Sequence, residues 1–468
     1  MADKVVINPV TRISGYLQIT AYIESNKIIN VESQGMLFRG FEKMLKGRPP
    51  LDAIYFTERI CGICSTAHSV SSTKALENAY NIQADRNEEM IKDVLHGSEF
   101  LQNHLRHFYQ YVLPDYVTGF NINPIYSITH EDYRIPKKQS EKLIEHYFES
   151  LTYSRKAHEI SAVLGGKAPH NHGVFPGGVT VNITAQKIVQ MKALVTEIKD
   201  FIENKMIEDV FIISNYYNDY FNIGTGPKNL MTYGVFDSYG EEIHYVSPGV
   251  IIDGKEEILD IKNINENIYK AWYKSENNTL NIEDNNWQSD PFKEGAYSFI
   301  KAPRYKGYAM QVGPLARMYI SGDYRKGIST MNRIVARVLE AKKIANIMLQ
   351  LLDEILPKDS TNKAYTLPKN AVGYGFVDTT RGTLGHYVNI EENEIKNYTI
   401  ITPSAWNLSP KDSNGTLGAL EEALIGTYVD NPKNPTEIGR VIRSFDPCVS
   451  CATHVLSNDF SPMDIRVV

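Results

Sequence analysis

The sequence is poor in cysteine and has no long apolar run. Only four of its 468 residues are cysteines, which is too few for a disulfide framework in so long a chain. No uninterrupted apolar stretch approaches the roughly 18 residues that predict a membrane-spanning helix. The first residues, MADKVVINPVTRISGYLQITAYIE, lack the three regions of a signal peptide. We therefore expect a protein with no export signal or membrane anchor of its own.

Basic residues are not in excess either. Lys and Arg total 49 against 55 Asp and Glu, the net charge is −6, and no basic run interrupts the sequence. This composition lacks the electrostatic footprint of a nucleic-acid-binding protein, so we do not expect nucleic acid as a partner. With 42% hydrophobic residues, the chain can bury a large core and needs no metal or disulfide to fold.

The residue pattern predicts an α+β protein that is mainly α, with a large helical bundle as its core and peripheral β segments. Residues 15–35 alternate apolar and polar side chains as a half-buried hairpin does. Segments with apolar residues three and four apart predict long helices over 72–83, 87–113, 140–165, 185–221 and 327–356. Residues 221–325 are irregular and residues 371–403 are rich in strand formers. We expect a single domain over residues 1–468.

All four cysteines stand in C-x-x-C pairs, in TERICGICSTAHSV and in FDPCVSCATHVL. These are Cys61 with Cys64, and Cys448 with Cys451. Four thiolates suit zinc or an iron–sulfur centre, but zinc ribbons separate their pairs by roughly 15 to 20 residues. Here residues 65–447 intervene, so the fold must assemble any shared site, as it does for many catalytic metals. A structural zinc, a lone iron–sulfur centre and a catalytic metal all remain open, whereas two separate redox dithiols fit less well.

Charged and polar residues surround the cysteines. Arg59 and Asp446 each stand two residues before a cysteine, and His68 and His454 follow the two pairs. Such neighbours tune thiolate basicity and orient metal ligands, and a structural zinc knuckle needs few of them. The simpler interpretation is that Arg59 neutralises the thiolates and that His68 is a hydrogen-bonded core histidine.

The cysteine pairs belong to longer motifs. RGFE, residues 39–42, precedes ERICGIC at 58–64, and FDPCVSCATH occupies 445–454. Between them come GGKAPHNHGVFPGG, KAPRYKGYAMQVGPLARM, RGTLGH and SAWNLSPKDSNGTLGALEEALIG, and NPVTRI precedes them all. In this ordered set, which spans nearly the whole chain, the sequence closely resembles the large subunit of nickel–iron hydrogenases.

The resemblance implies a ligand set. Cys61 and Cys448 would be terminal ligands of nickel, while Cys64 and Cys451 would bridge nickel to an iron that carries carbon monoxide and cyanide. In that family dihydrogen is split heterolytically and reversibly, with a nearby base taking the proton. Soft sulfur ligands are compatible with this assignment but do not by themselves indicate it.

The resemblance also implies the residues that act beside the metals. Arg381 of RGTLGH matches the arginine over the open coordination position, which is the family's candidate base. Asp446 matches its carboxylate partner, and Cys448 the terminal thiolate that passes protons on. A guanidinium is effectively always protonated, so the alternative is that Arg381 acts only through its charge.

A second metal and a processing site are implied near the C-terminus. Glu42 and His454 match ligands of a buried magnesium or iron ion; a carboxylate suits magnesium, whereas a histidine favours a transition metal. His454 also matches the residue after which a maturation protease cuts. Residues 455–468 would then be a removable extension, and we expect cleavage after His454.

Two residues depart from the family pattern. Ser14 stands where a glutamate normally takes protons from the thiolate at position 448, and a hydroxyl cannot hold a proton as a carboxylate does. Asn103 stands where many members carry an aspartate. A proton exit through water and another acid is therefore one option, and Glu58 is a candidate by proximity in sequence alone.

No cysteine is left to bind electron-carrying clusters. The resemblance therefore implies an obligate heterodimer with an iron–sulfur small subunit, which would carry any export signal and make any membrane contact. The chain would be cytoplasmic or, if that partner is exported, on the outer face of the membrane. A hydrogen sensor with low turnover is the alternative function. A quinone-site subunit of respiratory complex I shares the fold but lacks the cysteines present here.

Overall fold

A computed structural model describes residues 2–120, 130–283, 286–359 and 368–452. Its α-helices, in chain order, are α1 Phe41–Met44, α2 Asp52–Glu58, α3 Ser65–Tyr80, α4 Arg86–Arg106, α5 Lys137–Gly165, α6 Ala185–Phe201, α7 Ile207–Tyr216, α8 Pro314–Ile320, α9 Thr330–Glu354, α10 Pro403–Asn407, α11 Ala419–Leu424, α12 Thr436–Ser444 and α13 Val449–Ala452.

The strands form small sheets at the edges of the helical core. They are β1 Asp3–Ile7, β2 Leu17–Glu24, β3 Lys27–Gly35, β4 Phe38–Arg39, β5 Val174–Phe175, β6 Gly178–Val179, β7 Leu230–Thr232, β8 Gly249–Ile252, β9 Lys255–Glu257, β10 Ile264–Asn267, β11 Tyr273–Lys274, β12 Thr279–Asn281, β13 Gln288–Ser289, β14 Ala302–Tyr305, β15 Gln311–Val312, β16 Ala371–Thr379, β17 Gly382–Glu391 and β18 Glu394–Ile401.

The core is a bundle in which α4 packs on α5 and α9, and α6 and α7 also pack on α9. Its centre is a continuous set of buried apolar side chains from these helices. The starts of α4 and α9 are capped: the side chains of Asp85 and Ser329 accept hydrogen bonds from backbone amides of the first turns of these helices. The predicted helical bundle is confirmed.

The predicted helix over 185–221 is interrupted. After α6 the chain makes a π-helical segment, Ile202–Met206, and then continues as α7 and a short 3-10 helix, Asn218–Phe221. α4 likewise runs into a π-helical segment, His107–Val112. Apolar spacing does not reveal such single-turn changes, because they shift which face is buried by only one residue.

Two three-stranded antiparallel sheets matter for the site. The predicted hairpin is β2–β3, with β1 on its other side, and the strand-rich segment forms the sheet β16–β17–β18. α3 lies on β16 so closely that a Cβ at Gly375 would stand 2.0 Å from the carbonyl oxygen of Ser71. Only glycine allows this approach, which brings the β16–β17 turn next to the start of α3.

The irregular segment of residues 221–325 forms the sheet β15–β7–β8–β9 and the smaller pairings of β10 to β14. β15 pairs in parallel with β7, whereas the other pairs in this sheet are antiparallel. None of the helices in the described part of the chain combines the length and apolarity that crossing a bilayer requires.

Candidate metal centre

The four cysteines meet inside the protein. Cys61 lies in the turn between α2 and α3, Cys64 precedes α3, Cys448 follows α12 and Cys451 lies in α13. The Sγ atoms of Cys61 and Cys448 are 3.2 Å apart, those of Cys64 and Cys451 are 3.0 Å apart, and all four lie within 4.8 Å of one another. All four residues are buried. The two ends of the chain thus build one sulfur cluster.

The cluster fits metal ions. Two sulfurs on opposite sides of one ion with metal–sulfur bonds of about 2.3 Å lie at most about 4.6 Å apart, close to the observed spread. Burial raises the pKa of Cys451. Burial also acts to raise the pKa of Cys448, but hydrogen bonds from neighbouring thiols and the charge of Arg381 bring it below its ordinary value. A cluster that favours thiolate at one sulfur is prepared for metal binding.

The second cysteine turn is held against the N-terminal segment. The amide of Ser14 donates to the carbonyl oxygen of Pro447 at 3.1 Å, and the amide of Val449 donates to the carbonyl oxygen of Ser14 at 2.7 Å. Gly15 has φ +87°, and a Cβ there would lie 2.5 Å from the amide nitrogen of Ser450. The NPVTRI region therefore provides a close-fitting support for the turn that carries Cys448.

Arg39 connects the two cysteine turns directly. Its guanidinium donates to the carbonyl oxygen of Arg59 at 3.1 Å, to that of Ile60, and to that of Ser450 at 2.6 Å. Arg59 and Ile60 stand directly before Cys61, and Ser450 stands between Cys448 and Cys451. A single RGFE side chain thus bonds to both motifs, which explains why this arginine accompanies them.

Arg381 and Asp446 form the predicted pair beside the sulfurs. Arg381 Nη2 donates to Asp446 Oδ1 at 3.0 Å, and Nε donates to the backbone carbonyl oxygen of Asp446 at 2.9 Å. Burial acts to lower the pKa of Arg381, but Asp446 and the cysteine sulfurs raise it well above its ordinary value. Burial acts to raise the pKa of Asp446, but Arg381 and Arg337 bring it below its ordinary value. Both groups are therefore charged at neutral pH.

Asn103 joins this pair from α4. Its Nδ2 donates to Asp446 Oδ2 at 2.7 Å, and its Oδ1 accepts from Arg381 Nη2 at 2.7 Å and from Arg106 Nη2 at 2.8 Å. The amide satisfies a carboxylate and two guanidinium groups at once, which an aspartate could not do without a proton. The departure at position 103 thus keeps the hydrogen-bond network and removes one negative charge.

Several residues of the site were missed by sequence analysis. Arg337 on α9 pairs with Asp446 at 3.1 Å and donates to His104, which is in turn hydrogen-bonded to Glu340. A signal was present: Arg333, Arg337 and Glu340 recur at helical spacing on the buried face of α9. Buried charges on an apolar helix face require partners, so this pattern indicates an internal ionic network.

The protonation of His104 follows from its partners. Arg337 Nη1 lies 3.1 Å from Nδ1, and a guanidinium only donates, so Nδ1 accepts. The proton is then on Nε2, which donates to Glu340 Oε2 at 2.8 Å. Glu340 also accepts from Arg317 Nε and Nη2 at 2.7 and 2.8 Å. Burial lowers the pKa of His104 to about 4, so a neutral imidazole links the two ion pairs.

The histidine and arginine near the first cysteine pair differ in burial. His68 is buried, and its Nδ1 is 3.1 Å from Nε2 of His386, which in turn is hydrogen-bonded to Tyr398. Burial lowers the pKa of His68 to about 4, so it is a neutral core histidine. Arg59 is partly exposed and pairs with Glu58 at 3.0 Å.

Glu42 lies in a separate cavity of about 20 Å³ that Cys451 also borders. Its Oε1 accepts from the amide of Ile400 at 2.8 Å, and Lys301 lies 3.4 Å from Oε2. Lys301 also contacts Glu266. The two carboxylates carry more negative charge than the one ammonium group neutralises. The cavity has room for one small ion or one water molecule, so it fits a cation. His454, the other expected ligand, lies outside the described residues.

Comparison with known proteins agrees with the cysteine motifs. The family model described as nickel-dependent hydrogenase matches residues 39–127 and 121–454. The chain belongs to the nickel-dependent hydrogenase family. This hydrogenase is 34% identical to the periplasmic [NiFeSe] hydrogenase large subunit of Desulfomicrobium baculatum, covering 97% of this chain and 95% of that one. It is 30% identical to the hydrogenase-1 large chain of Escherichia coli K12, in a match that covers 98% of this chain and 96% of that one.

Solved structures agree with the fold. The Ni-Fe-Se hydrogenase of Desulfovibrio vulgaris Hildenborough in the reduced state matches with a TM-score of 0.93 and 36% identity, over 97% of this chain and 100% of that one. The resemblance to nickel–iron hydrogenase large subunits and the α+β fold are therefore confirmed, and the chain is a nickel–iron hydrogenase. The Desulfomicrobium and Desulfovibrio proteins are nickel–iron–selenium hydrogenases, whereas this chain has four cysteines.

Proposed function

We propose that this chain is the catalytic large subunit that cleaves dihydrogen reversibly and heterolytically, and that its electrons pass to an iron–sulfur small subunit. The observation that carries the proposal is the convergence of four buried cysteines, with all Sγ atoms within 4.8 Å, beside the Arg381–Asp446 pair. A structural zinc site needs no such buried ion pair, and the family membership favours nickel and iron.

Within this proposal the cysteines have different roles. Cys61 and Cys448 would hold nickel, Cys64 and Cys451 would hold both nickel and iron, and the iron would carry carbon monoxide and cyanide. When bound, the metals polarise dihydrogen so that a base can take a proton. The chain orients the four sulfurs through the Arg39 and Ser14 contacts and excludes water by burying them.

Arg381 and Asp446 then act together. Asp446 fixes the guanidinium by two hydrogen bonds, and Asn103 fixes the same Nη2 from the other side. The raised pKa of Arg381 favours an electrostatic role over that of a base. A guanidinium that keeps its proton has no free lone pair with which to accept another. Cys448 is the thiolate that first takes the proton in this proposal, and its Sγ lies 3.2 Å from that of Cys61.

Glu42 and His454 hold a magnesium or iron ion in this proposal. Glu42 lines the cavity next to Cys451, and Glu266 adds a second carboxylate there. Such an ion would fix the segment after Cys451. Cleavage after His454 by a maturation protease would remove residues 455–468 and let that segment settle on the loaded centre.

The small subunit supplies what this chain lacks. The four cysteines of the sequence are all in the cluster, so clusters for electron transfer must come from a partner, and the large-subunit names of the relatives imply one. We propose export together with that partner and membrane contact only through other subunits. A relative named periplasmic supports the exported location, and none of these names supports the cytoplasmic alternative.

A hydrogen sensor of low turnover is the second candidate. Ser14 and Asn103 support it, because both remove a carboxylate from the surroundings of the sulfurs. The expected cleavable extension supports the enzyme instead. Turnover with an artificial electron acceptor separates the two.

The test is an infrared spectrum of the purified heterodimer, made with its maturation machinery, in the region of metal-bound carbon monoxide and cyanide stretches. We expect bands that shift under hydrogen, together with nickel and iron on elemental analysis. A fully matured sample that contains zinc and shows no such bands would refute the proposal.

A further inference from the structure

A small cavity of about 10 Å³ borders the turn between Cys61 and Cys64. Its wall includes Gly62 and Ile63 of that turn, Glu99 of α4, His158 of α5, and Lys167 and His170 of the segment after α5. The volume corresponds to about one water molecule, and the wall offers several polar partners. Lys167 is exposed and His170 is half-buried, so this side of the cavity leads toward the surface.

Glu99 is the acid in this cavity. It lies one turn before Asn103 on α4 and is only 6% exposed. Its carboxylate accepts from the amide of Thr66 at 2.7 Å and from the amide of Ala67 at 3.2 Å. These amides belong to the first turn of α3, the helix that begins directly after Cys64. The carboxylate is therefore fixed beside the first cysteine pair.

The same wall contacts a sulfur. The amide of Ile63 lies 3.4 Å from Cys61 Sγ and is oriented to donate to it, and Ile63 lines the cavity. One turn of backbone thus separates Cys61 from the space that holds Glu99. No equivalent acid stands at position 14, where Ser14 contacts the Cys448 turn through its backbone.

The charge state of Glu99 suits proton exchange. Burial raises its pKa to about 7, while the two α3 amides and Arg381 oppose the rise. The other charged or titratable groups that face the cavity are His158 from α5 and Lys167 and His170 from the following loop. A carboxyl group with a pKa near neutrality can both accept and release a proton at working pH.

We propose that Glu99 is the carboxyl group through which protons leave the metal centre of this chain, in place of the glutamate that Ser14 replaces. The proposal rests on the proposed function. Each dihydrogen yields two protons and two electrons; the electrons pass to the small subunit. Each proton in turn converts the Glu99 carboxylate to the acid and then moves through cavity water, past His158 and His170, to solvent.

Glu58 fits this role less well. It is fully buried, but Oε2 is bonded to Arg59 at 3.0 Å, and Glu58 does not line the cavity beside Ile63. Burial raises its pKa as well, to about 8, so position and hydrogen-bond partners, and not the pKa, separate the two acids. Glu58→Gln is therefore the matched comparison, since it changes another buried carboxyl next to the same cysteine turn.

The experiment uses the heterodimer with Glu99→Gln, which keeps one oxygen to accept from one of the two α3 amides. We expect normal nickel and iron content and normal carbon monoxide and cyanide bands, but about 100-fold slower hydrogen oxidation. Difference infrared spectra between hydrogen and nitrogen should show a protonated carboxyl band in the parent that shifts in heavy water and is lost in Glu99→Gln. Ser14→Glu added to Glu99→Gln should restore much of the rate.

Unchanged turnover in Glu99→Gln, or loss of turnover and of the carboxyl band in Glu58→Gln but not in Glu99→Gln, would overturn the assignment. Either result with metal-ligand bands intact leaves the hydrogenase proposal standing. Absence of those bands from the unmodified heterodimer would instead refute the hydrogenase proposal itself.

Discussion

The guanidinium of Arg381 donates two hydrogen bonds to Asp446, one to the side chain at 3.0 Å and one to the backbone carbonyl oxygen at 2.9 Å. Asp446 has φ +53°, a left-handed conformation that non-glycine residues rarely adopt. The two hydrogen bonds hold Asp446 in this strained conformation. Because Asp446 stands two positions before Cys448, they connect the position of the Cys448 ligand to that of the Arg381 guanidinium.

Replacing Arg381 with lysine tests this link. Lysine keeps the charge but cannot make the planar set of bonds to Asp446 and Asn103. For Arg381→Lys we expect at least about 100-fold slower hydrogen oxidation with nickel and iron content unchanged. Turnover and elemental analysis of the heterodimer measure this, and Arg325→Lys on the surface is the control. Near-normal turnover in Arg381→Lys would show that charge alone suffices.

Gly15→Ala tests the support of the second cysteine turn. The new Cβ would lie 2.5 Å from the amide nitrogen of Ser450, so the turn carrying Cys448 must move away. We expect purified protein with little nickel. Gly240→Ala is a matched control, because Gly240 also has φ +87° but has nothing within 4 Å. It should lose only about 1 to 2 kcal/mol of stability and keep its nickel. Equal nickel content in both variants would contradict the docking role of Gly15.

Glu421→Gln tests a pH dependence of stability away from the metals. Glu421 is fully buried, accepts from Ser33 and Tyr297, and burial raises its pKa from 4.5 to about 7. The folded state holds this proton more tightly than the unfolded chain, so its stabilising effect is complete below pH 4.5 and is lost as pH rises through 7.

Between about pH 5 and about pH 8 the parent should therefore lose about 3 kcal/mol more than Glu421→Gln. Denaturant unfolding at several pH values measures the difference. Glu394→Gln, which changes an exposed carboxyl, should behave like the parent. Parallel pH curves for Glu421→Gln and the parent would refute the prediction.

The C-terminal extension gives a prediction that mass spectrometry decides. The family resemblance predicts cleavage after His454, so the mature chain should lack residues 455–468. Because closure over the metals follows loading, a strain without nickel should accumulate the full-length chain. A nickel-containing, active heterodimer whose intact mass still includes the extension would contradict this expectation.

Much of the site was accessible from sequence because it lies in short motifs. The four cysteines, Arg381 and Asp446 were all predicted, and the structure brings them together. Glu42 also lies near the cysteine cluster, in a cavity whose wall includes Cys451. Arg337 and Arg106 were not predicted, because they stand in helices whose apolar spacing alone indicates packing. Their role depends on partners from distant helices, which local sequence does not specify.

The sequence by itself determined the chemistry available: four thiols in two pairs, an acid and an arginine beside them, and a neutral Ser14 and Asn103 where charge is usual. It also determined the long helices, because apolar spacing is a local property. Only the tertiary structure decided that Glu99 and not Glu58 lines the cavity beside the first cysteine turn. Both are buried acids near the same turn, and burial and hydrogen-bond partners, which set a carboxyl group's pKa, arise only when distant segments pack together.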